Sequence, residues 1–265
     1  YVFIARLDWG LKGAALATGL AFLVGVLVVL PHFLGHYGRI KFVRPKGTWI
    51  EMRHAAFNGF SEFLTETSAG LIVLMFNWIL ITNIGSMGVA AFTVVDYLMY
   101  FSLLIFYGVG EGISPLISVN YGARKPSRIS AFLKMGLVSN LLIACFGTIA
   151  LLYWTKDMVN IFLIEGETDI TNLATTIIRI IWPMLIFAAA NITLTAYLTG
   201  MQCAKQSALI ALTRSLVLPV LLVIIFWKFF GFMYVFYALP MSEICVFILA
   251  LFLLQGRLPR KLVNN

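Results

Sequence analysis

Seven apolar runs divide this chain, at about 11–34, 56–82, 87–118, 132–154, 173–200, 207–227 and 232–255, each long enough to cross a lipid bilayer. A crossing takes about 20 mostly apolar residues, because roughly 30 Å of hydrocarbon is spanned at about 1.5 Å per helical residue. The runs leave little chain for anything else. Only 11% of the 265 residues are charged and 61% are hydrophobic, whereas a soluble domain carries about 25% charged residues. A water-soluble globule is excluded. With no water in the bilayer to satisfy backbone groups, and no alternating strand pattern, the runs predict an all-α integral membrane fold of seven transmembrane helices.

The net charge of +8 records topology rather than affinity for nucleic acid, since the basic residues sit in short loops beside apolar runs. Lys and Arg number fourteen on one set of alternate loops and flanks (35–54, 119–135, 201–214 and after 255). The other set has four: Arg6, Lys12, Lys156 and Lys228. An excess of Lys and Arg marks the cytoplasmic side. This reading places the tail in the cytoplasm and the acidic stretch 155–171, with Asp157, Glu165, Glu167 and Asp169, outside. Cys145, Cys203 and Cys245 lie in or beside separate runs and read as small buried side chains, not as a disulfide framework or zinc site. The chain opens on Tyr1 inside an apolar stretch, which reads as a fragment of a longer protein.

A charge at mid-bilayer costs at least about 2.5–3.5 kcal/mol, so each embedded carboxyl needs a reason. Glu62 and Glu66 share one helical face, extended by Asn58 and Asn77. Two carboxyls this close in low dielectric resist joint ionisation, so one can hold a proton near neutral pH. That is the chemistry of a proton or sodium coupling site. Glu62 also reads as a carboxyl reaching headgroups or loop arginines. Asp96 lies deep in its run and demands a partner or a water cavity. Glu111 stands in the stretch GVGEGISP, 108–115, whose glycines and Pro115 predict a bend, and reads equally as a coupling group or an interfacial carboxyl. Glu243 reads as a coupling group or as a hydrogen bond to a neighbouring helix. Asn191, Thr193 and Thr195 fit helix-to-helix hydrogen bonding better than substrate binding. Tyr97, Tyr100, Tyr107 and Tyr197 suit either an aromatic cavity for an organic cation or a lipid-facing surface. His32, His36 and His54 cluster near the first basic loop and read as interfacial.

Four segments, in order and spacing, resemble the multidrug and toxic compound extrusion (MATE) transporters: WGLKGAALATG at 9–19, NGFSEFLTETSAGLIVLMFN at 58–77, GVGEGISPLISVNYGARK at 108–125 and ALPMSEICVFILALFL at 238–253. The resemblance implies helices six to twelve of a twelve-helix antiporter built from two six-helix lobes. Its division would be 1–34 as the last helix of the N-terminal lobe, 35–55 as the cytoplasmic inter-lobe loop, 56–255 as the C-terminal lobe and 256–265 as the tail. It also implies that the acidic residue of the seventh helix, which takes part in cation coupling, is Glu66. Many members have glutamine at the position of Glu111. Where some members carry an aspartate in the tenth helix, this chain has Asn191 and no acid.

The implied function is secondary export of amphipathic, often cationic organic compounds in exchange for protons or sodium, by alternating access in the plasma membrane. The coupling cation would sit at Glu66 and Glu62, with Asp96, Glu111, Asn77, Asn191 and Glu243 as further cavity or coupling residues. No cofactor, bound metal other than a coupling sodium, or nucleic-acid partner is expected, and no enzymatic constellation is visible. The expected partners are small organic substrates, the bilayer and the helices of the missing lobe. The alternative is a lipid-linked saccharide flippase of the broader superfamily. Its pyrophosphate substrate calls for several basic residues in the spans, and the sequence offers only Arg179, near an outer end. A seven-helix receptor or retinal pump is a more distant alternative, as no lysine lies between Lys228 and Lys261.

Overall fold

The computed structural model describes residues 2–34, 49–163 and 167–255, apart from the side chains of 4, 5, 51 and 54–66. The described residues are helical throughout, with short turns between. Ten α-helices run in order: α1 (Gly10–Leu34), α2 (Trp49–Asn83), α3 (Ser86–Gly122), α4 (Pro126–Tyr153), α5 (Thr155–Asn160), α6 (Thr168–Ile181), α7 (Pro183–Gly200), α8 (Ala204–Leu212), α9 (Leu218–Phe229) and α10 (Ala238–Leu254). Two compact units divide the chain, Tyr1–Ala55 and Ala56–Asn265. In the first, a π-helical turn at Val2–Arg6 packs on α1, where a Cβ at Gly13 would come within 2.7 Å of the Phe3 carbonyl oxygen.

Among the described residues, six stretches are long and apolar enough to span a membrane: Gly10–Leu34, Ser86–Gly122, Pro126–Tyr153, Pro183–Gly200, Ala204–Phe229 and Phe232–Leu254. The seventh run is represented by the shorter apolar stretch Thr67–Asn83 of α2. The structure departs from the expected spans in detail. The run 173–200 is two helices, α6 and α7, meeting at Trp182 and Pro183. Proline at the first position of a helix has no N–H to leave unpaired, so it suits a fresh start. Within the acidic stretch, Thr155–Asn160 forms α5 and α6 begins at Thr168, and the Thr171 hydroxyl donates to Asn160 Oδ1 at 3.0 Å to tie α6 to α5. The stretch 108–115 lies within α3, which continues through Pro115.

The second unit is centred on α7. Its apolar window is 61% buried, against 17–33% for the other spans of this unit, so α7 is the helix that the others surround. Between helices in lipid there is no hydrophobic force, and close packing depends on small residues. Accordingly, α3 approaches α7 at Gly110, where an added Cβ would lie 3.3 Å from Ala196 and Ile192, and again at Gly200, 2.8 Å from the Ser114 carbonyl oxygen. These pairings advance together along both chains, so α3 and α7 run parallel. Helix α4 meets α3 at Gly136 and Ile113, and Asn140 Nδ2 donates to the Phe106 carbonyl, which makes this pair antiparallel. At the other end, Phe76 stacks on Phe92 at 4.7 Å and on Phe236 at 5.7 Å between ring centroids. The outward faces are apolar, as with Leu142, Phe146 and Ile149 on one side of α4. Cys145 sits on that exposed face, contrary to the buried position expected, while Cys203 is buried and Cys245 intermediate. A thiol behaves as a small hydrophobe, so a lipid-facing position costs it little.

Candidate functional site

The polar centre of the lobe is assembled by α3, α7, α10 and the turn between α8 and α9. That turn, Thr213–Val217, is a π-helix. Pro219 follows it and cannot donate to the carbonyl of Ser215 four residues back, and a wider turn absorbs the defect. A π-turn adds a residue to the helix and changes the direction of the side chains around it; such turns are frequent at functional sites. Arg214 lies in it.

Arg214 Nε donates to Glu243 Oε1 at 2.8 Å, with side-chain exposures of 13% and 5% for the two partners. Asn191 Nδ2 donates to the other carboxylate oxygen, Oε2, at 2.7 Å and to the Glu243 backbone carbonyl at 2.9 Å. A carboxylate can only accept, so the amide of Asn191 must present its nitrogen here. On the opposite side Arg214 Nη1 donates to Tyr107 Oη at 2.8 Å, and the guanidinium carbon lies 5.9 Å from the centroid of the same ring. Arg214 is about 15 Å along its span from Ala204, Glu243 about 18 Å from Gln255 and Tyr107 about 22 Å from Gly122, at about 1.5 Å per residue. The three converge deep in the lobe. A lone charge at that depth is expensive, and the pair removes the net charge; deleting one partner of a buried pair costs about 3–5 kcal/mol.

Arg214 corrects the sequence reading, which counted it among the residues flanking a cytoplasmic loop and left Arg179 as the sole basic residue inside a span. Arg179 is exposed, and Arg214 is the interior cation. Because Glu243 neutralises it, the lobe still lacks the excess of positive charge that a pyrophosphate would require. The missed signal was complementarity, since Arg214 and Glu243 are single opposite charges in consecutive spans.

Other expected residues lie elsewhere. Glu62, Glu66 and Asn58 belong to α2, and their side chains are outside the described residues, as are His36 and those of His54. Asn77 on α2 has its Oδ1 buried without a hydrogen-bond partner among the described residues. Asp96 is half-buried on α3 and Glu111 exposed, and neither joins the Arg214 cluster. Of the expected set, only Asn191, Glu243 and Tyr107 are brought together among the described residues. Tyr197 is wholly buried and belongs to the packing core, while Tyr97 and Tyr100 are exposed. Thr193 Oγ1 accepts from Asn140 Nδ2 at 2.9 Å, and Thr195 bonds to the Asn191 carbonyl of its own helix. The Asn140–Thr193 bond ties α4 to α7, whereas that of Thr195 stays within α7. No group of three or more His, Cys, Asp or Glu able to hold a metal occurs among the described residues.

Comparison with known proteins gives this geometry a setting. The family model described as MatE matches residues 60–225. The chain is 26% identical to "Multidrug export protein MepA" of Staphylococcus aureus over 97% of its own length and 57% of the relative's. It is 25% identical to the protein of that name from Staphylococcus haemolyticus, covering all of this chain and 58% of the relative. Among solved structures, an outward-facing multidrug resistance MATE family transporter of the MOP superfamily superposes with a TM-score of 0.83 at 18% identity, covering 100% of this chain and 59% of that one. A MATE in the bent conformation gives 0.78 at 19% identity, with the same coverage. The chain spans somewhat over half the length of these relatives.

Proposed function

We propose, from the premise that this chain belongs to the MatE family, that it supplies one lobe and the preceding helix of a secondary multidrug exporter. The exporter sits in the plasma membrane with the tail after residue 255 in the cytoplasm. It exchanges amphipathic or cationic organic compounds for protons or sodium as two lobes rock about a shared cavity. The observation that carries this reading is the similarity to a multidrug export protein along 97% of the chain.

The geometry is compatible with the mechanism. A lobe that rocks as a body must hold its helices together without help from the cavity side. The close approaches at Gly110, Gly136 and Gly200 and the hydrogen bonds of Asn140 and Asn191 provide such internal connections. The Arg214–Glu243 pair engages Glu243, and the coupling role is assigned here to α2 on the motif position of Glu66. Glu66, with Glu62 one turn away, takes up the cation, and binding there biases the equilibrium between the two orientations of the cavity. Asp96, Glu111 and Asn77 remain candidates for the same path.

The test is Glu66→Gln in the full-length protein that contains this chain, reconstituted in proteoliposomes. Glutamine keeps the size and hydrogen bonding of the side chain and removes its ionisation. Efflux of a fluorescent cation should lose its dependence on an imposed proton or sodium gradient while insertion is unchanged. Efflux with the wild-type gradient dependence would overturn the role of Glu66.

A further inference from the structure

We propose that Arg214 and Tyr107 form a recognition point for a carboxylate carried by a transported compound, so that the lobe reads an anionic group as well as amphipathic bulk. The inference rests on the exporter reading for the word transported, and on the geometry of the cluster for the rest. A guanidinium has five N–H donors. Nε–H is spent on Glu243 and one Nη1–H on Tyr107, and the remaining three have no acceptor among the described residues. Tyr107 accepts from Arg214, so its own O–H proton is free to donate in turn. The unspent donors therefore gather at the Nη end of Arg214 beside the Tyr107 hydroxyl.

Exposure points the same way. Glu243 and Asn191 are buried and the Arg214 side chain is 13% exposed, whereas Tyr107 is 39% exposed, so the cluster opens at its Tyr107 end. Asn191 Oδ1, the open acceptor of the group, is wholly buried and belongs to the side of the second carboxylate oxygen. A ligand reaching the open end meets N–H and O–H groups and an aromatic ring, with no competing acceptor among the described residues. Planar guanidinium donors match a carboxylate by paired parallel hydrogen bonds. The neighbouring ring face suits the apolar body of the same molecule. Glu243 serves as a resident counter-charge, keeping Arg214 paired when no ligand is present and moderating the attraction for an anion when one arrives.

Equilibrium binding to the full-length protein that contains this chain, in nanodiscs, tests this, using a xanthene dye with a free carboxyl group and its methyl ester, followed by fluorescence anisotropy. The wild-type protein should prefer the acid by about tenfold, equivalent to about 1.4 kcal/mol. Glu243→Gln removes the counter-charge and leaves Arg214 in place, and should widen the preference severalfold. The double variant Arg214→Gln, Glu243→Gln leaves no unpaired charge to disturb folding, and should bring the ratio to about one. Tyr107→Phe should weaken the acid severalfold and leave the ester unchanged. An acid-to-ester ratio that is the same in the wild type and the double variant would overturn the proposal. So would weaker acid binding in Glu243→Gln, or no binding of either dye by the folded wild-type protein. Because no ion gradient enters the measurement, the two readings fail separately. Intact acid preference without gradient-driven efflux removes the exporter and keeps the site, and gradient-driven efflux with no acid preference removes the site alone.

Discussion

Replacing Gly200 by alanine should loosen the lobe, although alanine is the better helix former. The new Cβ would stand 2.8 Å from the Ser114 carbonyl oxygen, 2.9 Å from Ile117 Cγ2 and 3.0 Å from Ile117 Cβ. Carbon contacts are most favourable at about 3.5–4.0 Å, so each approach is short by roughly half an ångström or more. Two of the three atoms are backbone or joined directly to it. No rotamer change relieves them, and α3 and α7 must move apart as bodies along a contact that Gly110 also uses. Overpacking of this kind costs about 1–3 kcal/mol, against about 0.5–1 kcal/mol gained by exchanging glycine for alanine in a helix. The net is a loss of up to about 2.5 kcal/mol. Gly112 on α3 is the control, because a Cβ there meets nothing within 4 Å and Gly112→Ala should show only the gain. Thermal unfolding in one detergent, followed by loss of the monodisperse peak, should place Gly200→Ala below the wild type and Gly112→Ala at or above it. Equal stability of the two variants would refute the account of the α3–α7 contact.

Other outcomes follow from the same contacts. Asn140→Leu deletes buried hydrogen bonds to the Phe106 carbonyl and the Thr193 hydroxyl, and should cost about 1–2 kcal/mol at roughly 0.6 kcal/mol or more per interhelical bond. In the same assay Asn120→Ala, which loses a bond within its own helix, should change little. For topology, an impermeant thiol reagent applied to intact cells should label a cysteine placed at Glu167 and spare one placed at Arg260. The reverse pattern would invert the orientation read from the basic loops. As argued above, Glu66→Gln should abolish the gradient dependence of efflux.

The membrane character of this chain is written in its sequence, because apolar run length is a local property that needs no knowledge of partners. The same holds for most helix ends, set by residues such as Gly85, with φ of 84° between α2 and α3, and Pro126 at the start of α4. The orientation proposed here likewise comes from counting Lys and Arg in neighbouring loops. The coupling role proposed for Glu66 rests on its place in a motif and a polar stripe, which are again local patterns. What the polar residues do to one another is another matter. Position within its run made Arg214 look interfacial, and for Glu243 it left a coupling group and a hydrogen bond to a neighbouring helix both open. Packing joins them across 29 residues of chain, and joins Arg214 to Tyr107 across 107. Their partnership depends on how α3, α7 and α10 surround the π-turn at Thr213–Val217. Hydrophobic periodicity says that a helix exists and roughly where it stops. In a bilayer, where nearly every face is apolar, it says little about which face meets which neighbour. That choice is made by small residues that allow backbones to approach and by the few polar groups that must find partners, and both become legible only when the helices are packed.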